Sequence, residues 1–216
     1  MKTSIKEAVM KKLCALGLIL AFAAAGCGKK SEQGKGAAGA APAVPGVTVN
    51  MMSAFNQFGA SLDEKDYASA YASLRSVLVD FWGASPLILQ NVTFVKSDNN
   101  TFGIYEPKPN EEYKAGEPMY LYMEPAGYVV QKNDEGKHEF GFHADMSLEN
   151  EKGEILGGQK DFARMHFSSW NFNTEICLTF TYTFSGLAKG RYKIVTTVRD
   201  ARSDKTATVE KWFSIT

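Results

Sequence analysis

Large apolar residues recur along this chain with two different periods, and the change comes near Pro86. Before it, Met51, Phe55 and Phe58 fall at helical spacing. Tyr67, Ala70, Tyr71, Leu74, Val77, Leu78 and Phe81 then form a stripe at intervals of three and four, the mark of one buried helix face. Ser61 and Glu64 have the spacing of a capping box for the second helix, while Gly83 and Pro86 are stop signals. A helical hairpin is therefore predicted over 47–86. So short a unit cannot bury its own apolar stripe, and we expect that stripe to pack on the rest of the chain.

Beyond Pro86 the period falls to two. Phe140, Phe142, Ala144, Met146 and Leu148 alternate with Glu139, Gly141, His143, Asp145 and Ser147, as in a strand with one face toward a core. Ile176, Leu178, Phe180, Tyr182 and Phe184 repeat the pattern, followed by Tyr192 to Val198 and Ala207 to Ile215 around a turn at Ala201 to Asp204. Shorter strands are predicted at 88–96, 101–106, 118–123 and 127–132, and a weaker one at 161–167. Many strands with polar turns between them, and no helical pattern, imply an antiparallel sandwich over 87–216. The fold class is mainly β, a sandwich preceded by an α-helical hairpin.

Two stretches resemble Ig-like and fibronectin-like modules. Gly186-Leu187-Ala188-Lys189-Gly190-Arg191-Tyr192, followed by Asp200 and a closing strand to Ile215, looks like their last hairpin. Tyr113-Lys114-Ala115-Gly116-Glu117-Pro118 looks like an early strand. The resemblance implies an Ig-like sandwich and no particular function, because such modules serve many. Leu62 to Tyr71 also resembles helix starts in TPR-like and NTF2-like domains, but one copy makes no solenoid.

The first residues differ in kind. Lys2, Lys6, Lys11 and Lys12 precede an uncharged run from Leu13 to Gly28, shorter than the ~20 apolar residues a membrane-spanning helix needs. A basic start, a short apolar stretch and small residues at its end are the features of a secretory signal. Ala24-Ala25-Gly26-Cys27 resembles the lipobox of bacterial lipoproteins, with Ala24 where Leu is commoner. That resemblance implies cleavage before Cys27, a diacylglyceryl group on its sulfur and an acylated amine. Two or three acyl chains, at ~0.8 kcal/mol per buried methylene, anchor a protein firmly. Gly28 stands where an aspartate usually signals inner-membrane retention in this family, so the expected location is the cell envelope, on the outer membrane facing the periplasm. The predicted organisation is a signal peptide at 1–26 and a lipidated cysteine with a disordered tether at 27–46. The tether is rich in Gly, Ala, Lys and Pro. Nineteen such residues reach roughly 24 Å.

Composition narrows the partners. Without residues 1–26, which hold four lysines and one glutamate, 24 basic and 24 acidic side chains become 20 and 23, a net charge of −3. No basic run stands out in the folded part, so no nucleic-acid partner is expected. Cys14 leaves with the signal and Cys27 is consumed by lipid. Cys177, alone in the folded part, is read as a half-buried inert thiol and not as part of a disulfide framework.

Chemistry is sparse. His138, His143 and His166 lie in no nucleophile-elbow, HExxH or paired-cysteine context. His143 shares a strand face with Asp145 and Glu149, a generic spacing from which no metal site is predicted. Gly157-Gly158 lacks the ending of a phosphate loop. We expect no catalytic residue, no cofactor and no metal. The remaining signal is aromatic: Tyr105, Tyr113, Tyr120, Tyr122 and Tyr128 cluster within 24 positions. Tyr120 and Tyr122 face one way, and Met119, Leu121 and Met123 the other. We therefore expect a non-catalytic envelope lipoprotein that binds a protein or assists assembly, with Tyr120, Tyr122 and Trp170 as its candidate surface. The Tyr120/Tyr122 face is also the best seat within the chain for the helical stripe. The alternative is a carbohydrate-binding module stacking glycans on those aromatics, and a hydrolase is a more remote third.

Overall fold

A computed structural model describes residues 46–216. The signal, Cys27 and nearly all of the tether lie outside the described residues. Helix α1 (Val49–Asp63) starts at Thr48, whose Oγ1 accepts from the Met51 N–H at 3.1 Å. It runs past Ser61 and ends where Lys65 turns left-handed at φ 59°, with the Asp66 N–H donating to the Ser61 carbonyl at 2.8 Å. The predicted capping box is therefore displaced. Ser61 is a buried interior residue of α1, and Asp66 caps α2 (Tyr67–Ala84) by accepting from the Ser69 N–H at 3.1 Å. Aspartate supplies the oxygen that an uncapped first turn requires. Pro86, lacking an N–H, keeps the chain from continuing the helix.

Nine strands follow: β1 (Ile88–Val95), β2 (Glu112–Tyr113), β3 (Met119–Ala126), β4 (Gln131–Lys132), β5 (His138–Asn150), β6 (Ile155–Ser169), β7 (Leu178–Tyr182), β8 (Gly190–Asp200) and β9 (Thr206–Ile215). The small sheet has the order β1-β3-β7. In the large sheet the order is β2-β9-β8-β5, with β4 and β6 also paired to β5. All pairings are antiparallel except β2 with β9, where Tyr113 lies parallel beside Ile215. The inward positions of both sheets merge into one core. Phe94, Leu121, Met123 and Phe180 come from the small sheet, and Phe142, Ile194, Val198 and Phe213 from the large one. A hydrogen bond of 2.8 Å between the Tyr182 and Thr196 hydroxyls ties the layers together.

Three strand expectations are corrected. Residues 101–106 form no strand. Thr101 and Ile104 bond each other's backbone in a tight loop laid over the outer face of the small sheet. Over 127–132 only β4 is strand, because Tyr128 turns into the core and the Val129 N–H is taken by the Asp200 carboxylate at 2.6 Å. The weak strand at 161–167 is in fact the long β6. At Gly158 a Cβ would lie 2.9 Å from the Met146 carbonyl, so glycine marks a close approach of β6 to β5.

The hairpin joins the sandwich at one end. Trp82 is buried with its ring edge-on to Tyr128 at 5.2 Å and to Phe172 at 6.4 Å. Below it, Gly127 (φ +78°) has no room for a Cβ, which would sit 2.2 Å from the Pro86 carbonyl. Lys205 Nζ donates to the carbonyls of Gly83 (2.9 Å) and Gly127 (2.8 Å), and Arg75 to the Phe172 carbonyl (3.0 Å).

Candidate functional site

The helical stripe does not pack on the sandwich. Tyr67, Tyr71, Leu74, Leu78 and Phe81 remain between 37% and 69% exposed. The helices meet along their less exposed positions: Met51, Ala54, Phe58 and Ser61 on α1, and Ala70, Ser73 and Val77 on α2. At about 100° per residue, Phe55 and Leu62 lie roughly a quarter-turn round from that line and Met52 somewhat over a third, and Leu74 and Leu78 lie roughly a quarter-turn round α2. Because the helices run antiparallel, both offsets open on the same side of the hairpin. The result is one apolar face shared by two helices. Fully burying such side chains contributes about 1.5–3 kcal/mol each, and with these five 37% to 46% exposed a substantial part of that is unrealised here.

Where this face meets the body it becomes a cleft of about 730 Å³. Tyr71 and Arg75 form one wall, and Trp170, Asn171, Asn173 and Glu175 of the β6–β7 loop form the other. Trp170 is 71% exposed, with Lys137 Nζ 5.1 Å from its ring centre. The loop is held firmly. The Tyr128 hydroxyl donates to the Asn173 carbonyl at 2.7 Å, the Asn173 side chain accepts from the Glu175 N–H at 2.8 Å, and Ser169 Oγ donates to the Asn171 carbonyl at 2.7 Å. Burial pushes the Tyr128 hydroxyl well above the usual tyrosine range, so it remains a donor.

The sequence-predicted surface residues part company. Trp170 is at the surface and Tyr120 is half-buried. Tyr122 is 0% exposed, stacked beneath Tyr105 at 4.2 Å, its hydroxyl donating to Glu124 at 2.5 Å and accepting from the Gly103 N–H at 3.0 Å. Glu124 also accepts from Asn91 at 2.6 Å. The Tyr120/Tyr122 face is thus roofed by the 97–105 loop and not by the hairpin, and that loop adds the Gly103 N–H to the Asn91 and Tyr122 donors that satisfy the buried Glu124. Tyr71 and Arg75 were missed as surface groups because periodicity assigns them to a helix without saying what covers it.

The polar strand face is occupied by ion pairs. Arg199 bridges Asp145 and Asp161, Arg164 reaches Asp161 at 2.9 Å, and His143 Nδ1 stands 3.7 Å from the same carboxylate. The hydrogen bond from Arg164 holds the Asp161 carboxyl below the usual range. Glu149 pairs instead with Lys193 at 2.9 Å. Among the described residues no group of three His, Cys, Asp or Glu is arranged to hold a metal, and no helix is long and apolar enough to cross a membrane. Cys177 is half-buried. Burial, then the charge of Glu124, pushes its thiol up, away from the thiolate that nucleophilic chemistry needs.

No protein-family model and no curated protein matches the chain. Among solved structures it is similar to a superoxide reductase (neelaredoxin) from Ignicoccus hospitalis, at 12% identity and a TM-score of 0.29, over 50% of this chain and 77% of that one. The sporulation control protein Spo0M from Bacillus subtilis matches at 9% and 0.31, over 61% and 49%. The alkylpurine DNA glycosylase AlkC of Pseudomonas fluorescens matches at 9% and 0.33, over 77% and 47%. The chain spans about half the length of the last two. Likenesses this distant carry no argument about function.

Proposed function

We propose that this chain is a lipid-anchored protein of the cell envelope, held on the outer membrane facing the periplasm, that binds a partner protein without catalysis. The anchor rests on the basic start, the short apolar run and Ala24-Ala25-Gly26-Cys27. Cys27→Ala should move the protein out of the membrane fraction, and the mature N-terminus should be an acylated cysteine. An unmodified N-terminus at another residue overturns the anchor.

The observation that carries the binding role is the exposed two-helix face of Leu74, Leu78, Phe81, Met52 and Phe55. Two side-by-side helices present ridges and a groove suited to a third helix. Within the helices only Asp63, Arg75 and Asp80 are charged, so the polar side lacks the lysines and arginines of a helix that lies on a lipid surface. A helical protein partner fits this chemistry best. A photocrosslinking residue at Leu78 in the tethered chain should yield one discrete protein adduct that Leu74→Asp abolishes. Lipid adducts alone, or an adduct indifferent to Leu74→Asp, overturn the role.

A second reading, a glycan seat, is favoured by the Trp170–Tyr71 cleft, where two exposed rings flank amide, guanidinium and carboxylate groups. Titration with soluble glycan fragments should quench Trp170 fluorescence and lose that response in Tyr71→Ala. A response retained in Tyr71→Ala would exclude this cleft.

A further inference from the structure

A second surface, independent of the hairpin, lies where the two sheets present neighbouring edges. The chain blunts most of its sheet edges, as natural β-proteins do to prevent uncontrolled pairing. Along the outer side of β1, Pro107 bridges Val95 and the Lys108 N–H donates to the Phe94 carbonyl at 2.9 Å. β6 carries Lys160, Asp161 and Arg164 on a strand broken by a bulge, with Asp161 at φ 49°. β7 has none of these devices. Its five residues, Leu178-Thr179-Phe180-Thr181-Tyr182, include no charge and no proline, and among the described residues its ladder pairs only with β3.

The direction of the unpaired groups can be read from the register. Since the Phe94 carbonyl points outward, Val95 and Tyr120 form a bonded pair; alternation then makes Leu121 and Phe180 the bonded pair between β3 and β7. The Phe184 carbonyl, which accepts from the Gly116 N–H at 3.1 Å, points the same way. The N–H and C=O groups of Thr181 and Thr183 therefore face away from β3, and both residues are exposed. Beside them runs a groove of about 530 Å³ between β7 and the start of β6. Its apolar lining includes Leu148, Leu156, Phe162, Phe184 and Leu187, and none of its residues is acidic or basic. Gly157 and Gly158 leave the β6 wall without side chains, and a Cβ on Gly157 would meet open space.

We propose that this groove accepts an extended peptide strand that pairs with the free edge of β7 and buries alternate apolar side chains between the sheets. A row of unpaired backbone groups is complemented by another backbone, and pockets beside the edge select every second side chain. The uncharged lining calls for an uncharged, apolar-alternating centre in that strand.

The probe is a fluorescein-labelled heptapeptide, Lys-Val-Thr-Ile-Thr-Val-Lys, added to the full-length chain in mild detergent. Anisotropy should show saturable binding, and hydrogen exchange should show new protection at the Thr181 and Thr183 amides. Thr181→Pro removes an outward N–H, which an edge strand tolerates, and should weaken binding at least tenfold while the melting transition is retained. Leu187→Glu, which closes the groove with a charge and leaves the backbone alone, should do the same and serves should the proline variant not fold. Leu74→Asp, which disables the hairpin face, should leave this binding intact. Absent binding, protection confined to the hairpin, or equal affinity in Leu187→Glu overturns the strand site. Slowed exchange around Phe162 and Leu187 with none at Thr181 would mean an acyl chain fills the groove, which also overturns it.

Discussion

The hairpin and the sandwich draw on similar apolar side chains and put them to opposite use. In the sandwich, Tyr128, Phe140 and Phe167 stack, with Tyr128 and Phe140 4.9 Å apart and Phe140 and Phe167 5.2 Å apart, and Phe142 lies edge-on to all three. Tyr128, Phe140 and Phe142 are shut off from water there. In the hairpin, Leu74, Leu78 and Phe81 sit on a regular helix with correct caps, yet among the described residues they remain exposed. Two helices have one mutual contact line, and the other faces stay wet unless a third layer arrives. Helix formation and helix burial are thus separate here: Thr48 and Asp66 supply the first locally, and the second is incomplete among the described residues.

The largest test of this contrast is Phe142→Ala. Phe142 is fully buried beside Tyr128 and Phe167, so its loss should cost about 3–5 kcal/mol, read as a lowered denaturant midpoint. Trp82→Ala tests the joint between the regions. It should cost about 3 kcal/mol, and amide exchange should speed up throughout α1 and α2 while β5 and β8 stay protected. Equal loosening of all elements would mean the hairpin belongs to the sandwich's cooperative unit.

Acid should act on the sandwich's polar face. Asp161 is held below its usual range by Arg164, and Glu139 by Asn133 and then Arg202. Carboxylates with lowered folded pKa values contribute stability above their unfolded values and lose it as pH falls through the folded ones. The melting temperature should therefore drop below about pH 4. Asp161→Asn should flatten part of that drop, and an unchanged slope would show that the pair is too solvated to matter. Smallest of all should be Leu74→Asp, within about 0.5 kcal/mol of the parent by thermal melting, as for a surface site. A loss like that of Phe142→Ala would show the stripe to be buried and end the contrast.

Period alone placed much of this fold. The stripe of three and four from Tyr67 to Phe81, the alternation from Phe140 to Leu148 and that from Ile176 to Phe184 each mark an element that exists, since periodicity reports which side chains share a face. Local chemistry misled in places. Ser61 and Glu64 match a capping box, but the helix propagates past Ser61 and ends with Glu64 as its C-cap before the left-handed Lys65, and Asp66 satisfies the next helix instead.

By itself, then, the sequence determined which faces are apolar and where the helical period gives way to the strand period. Only the tertiary structure decided what covers each face. Tyr122 and Leu74 lie in equally periodic segments, yet one is sealed under the 97–105 loop because Glu124 binds the Gly103 N–H, and the other is open to solvent. Covering depends on contacts between residues distant in the chain, such as Gly127 against Pro86 or Trp82 against Phe172, and a local pattern carries no record of them.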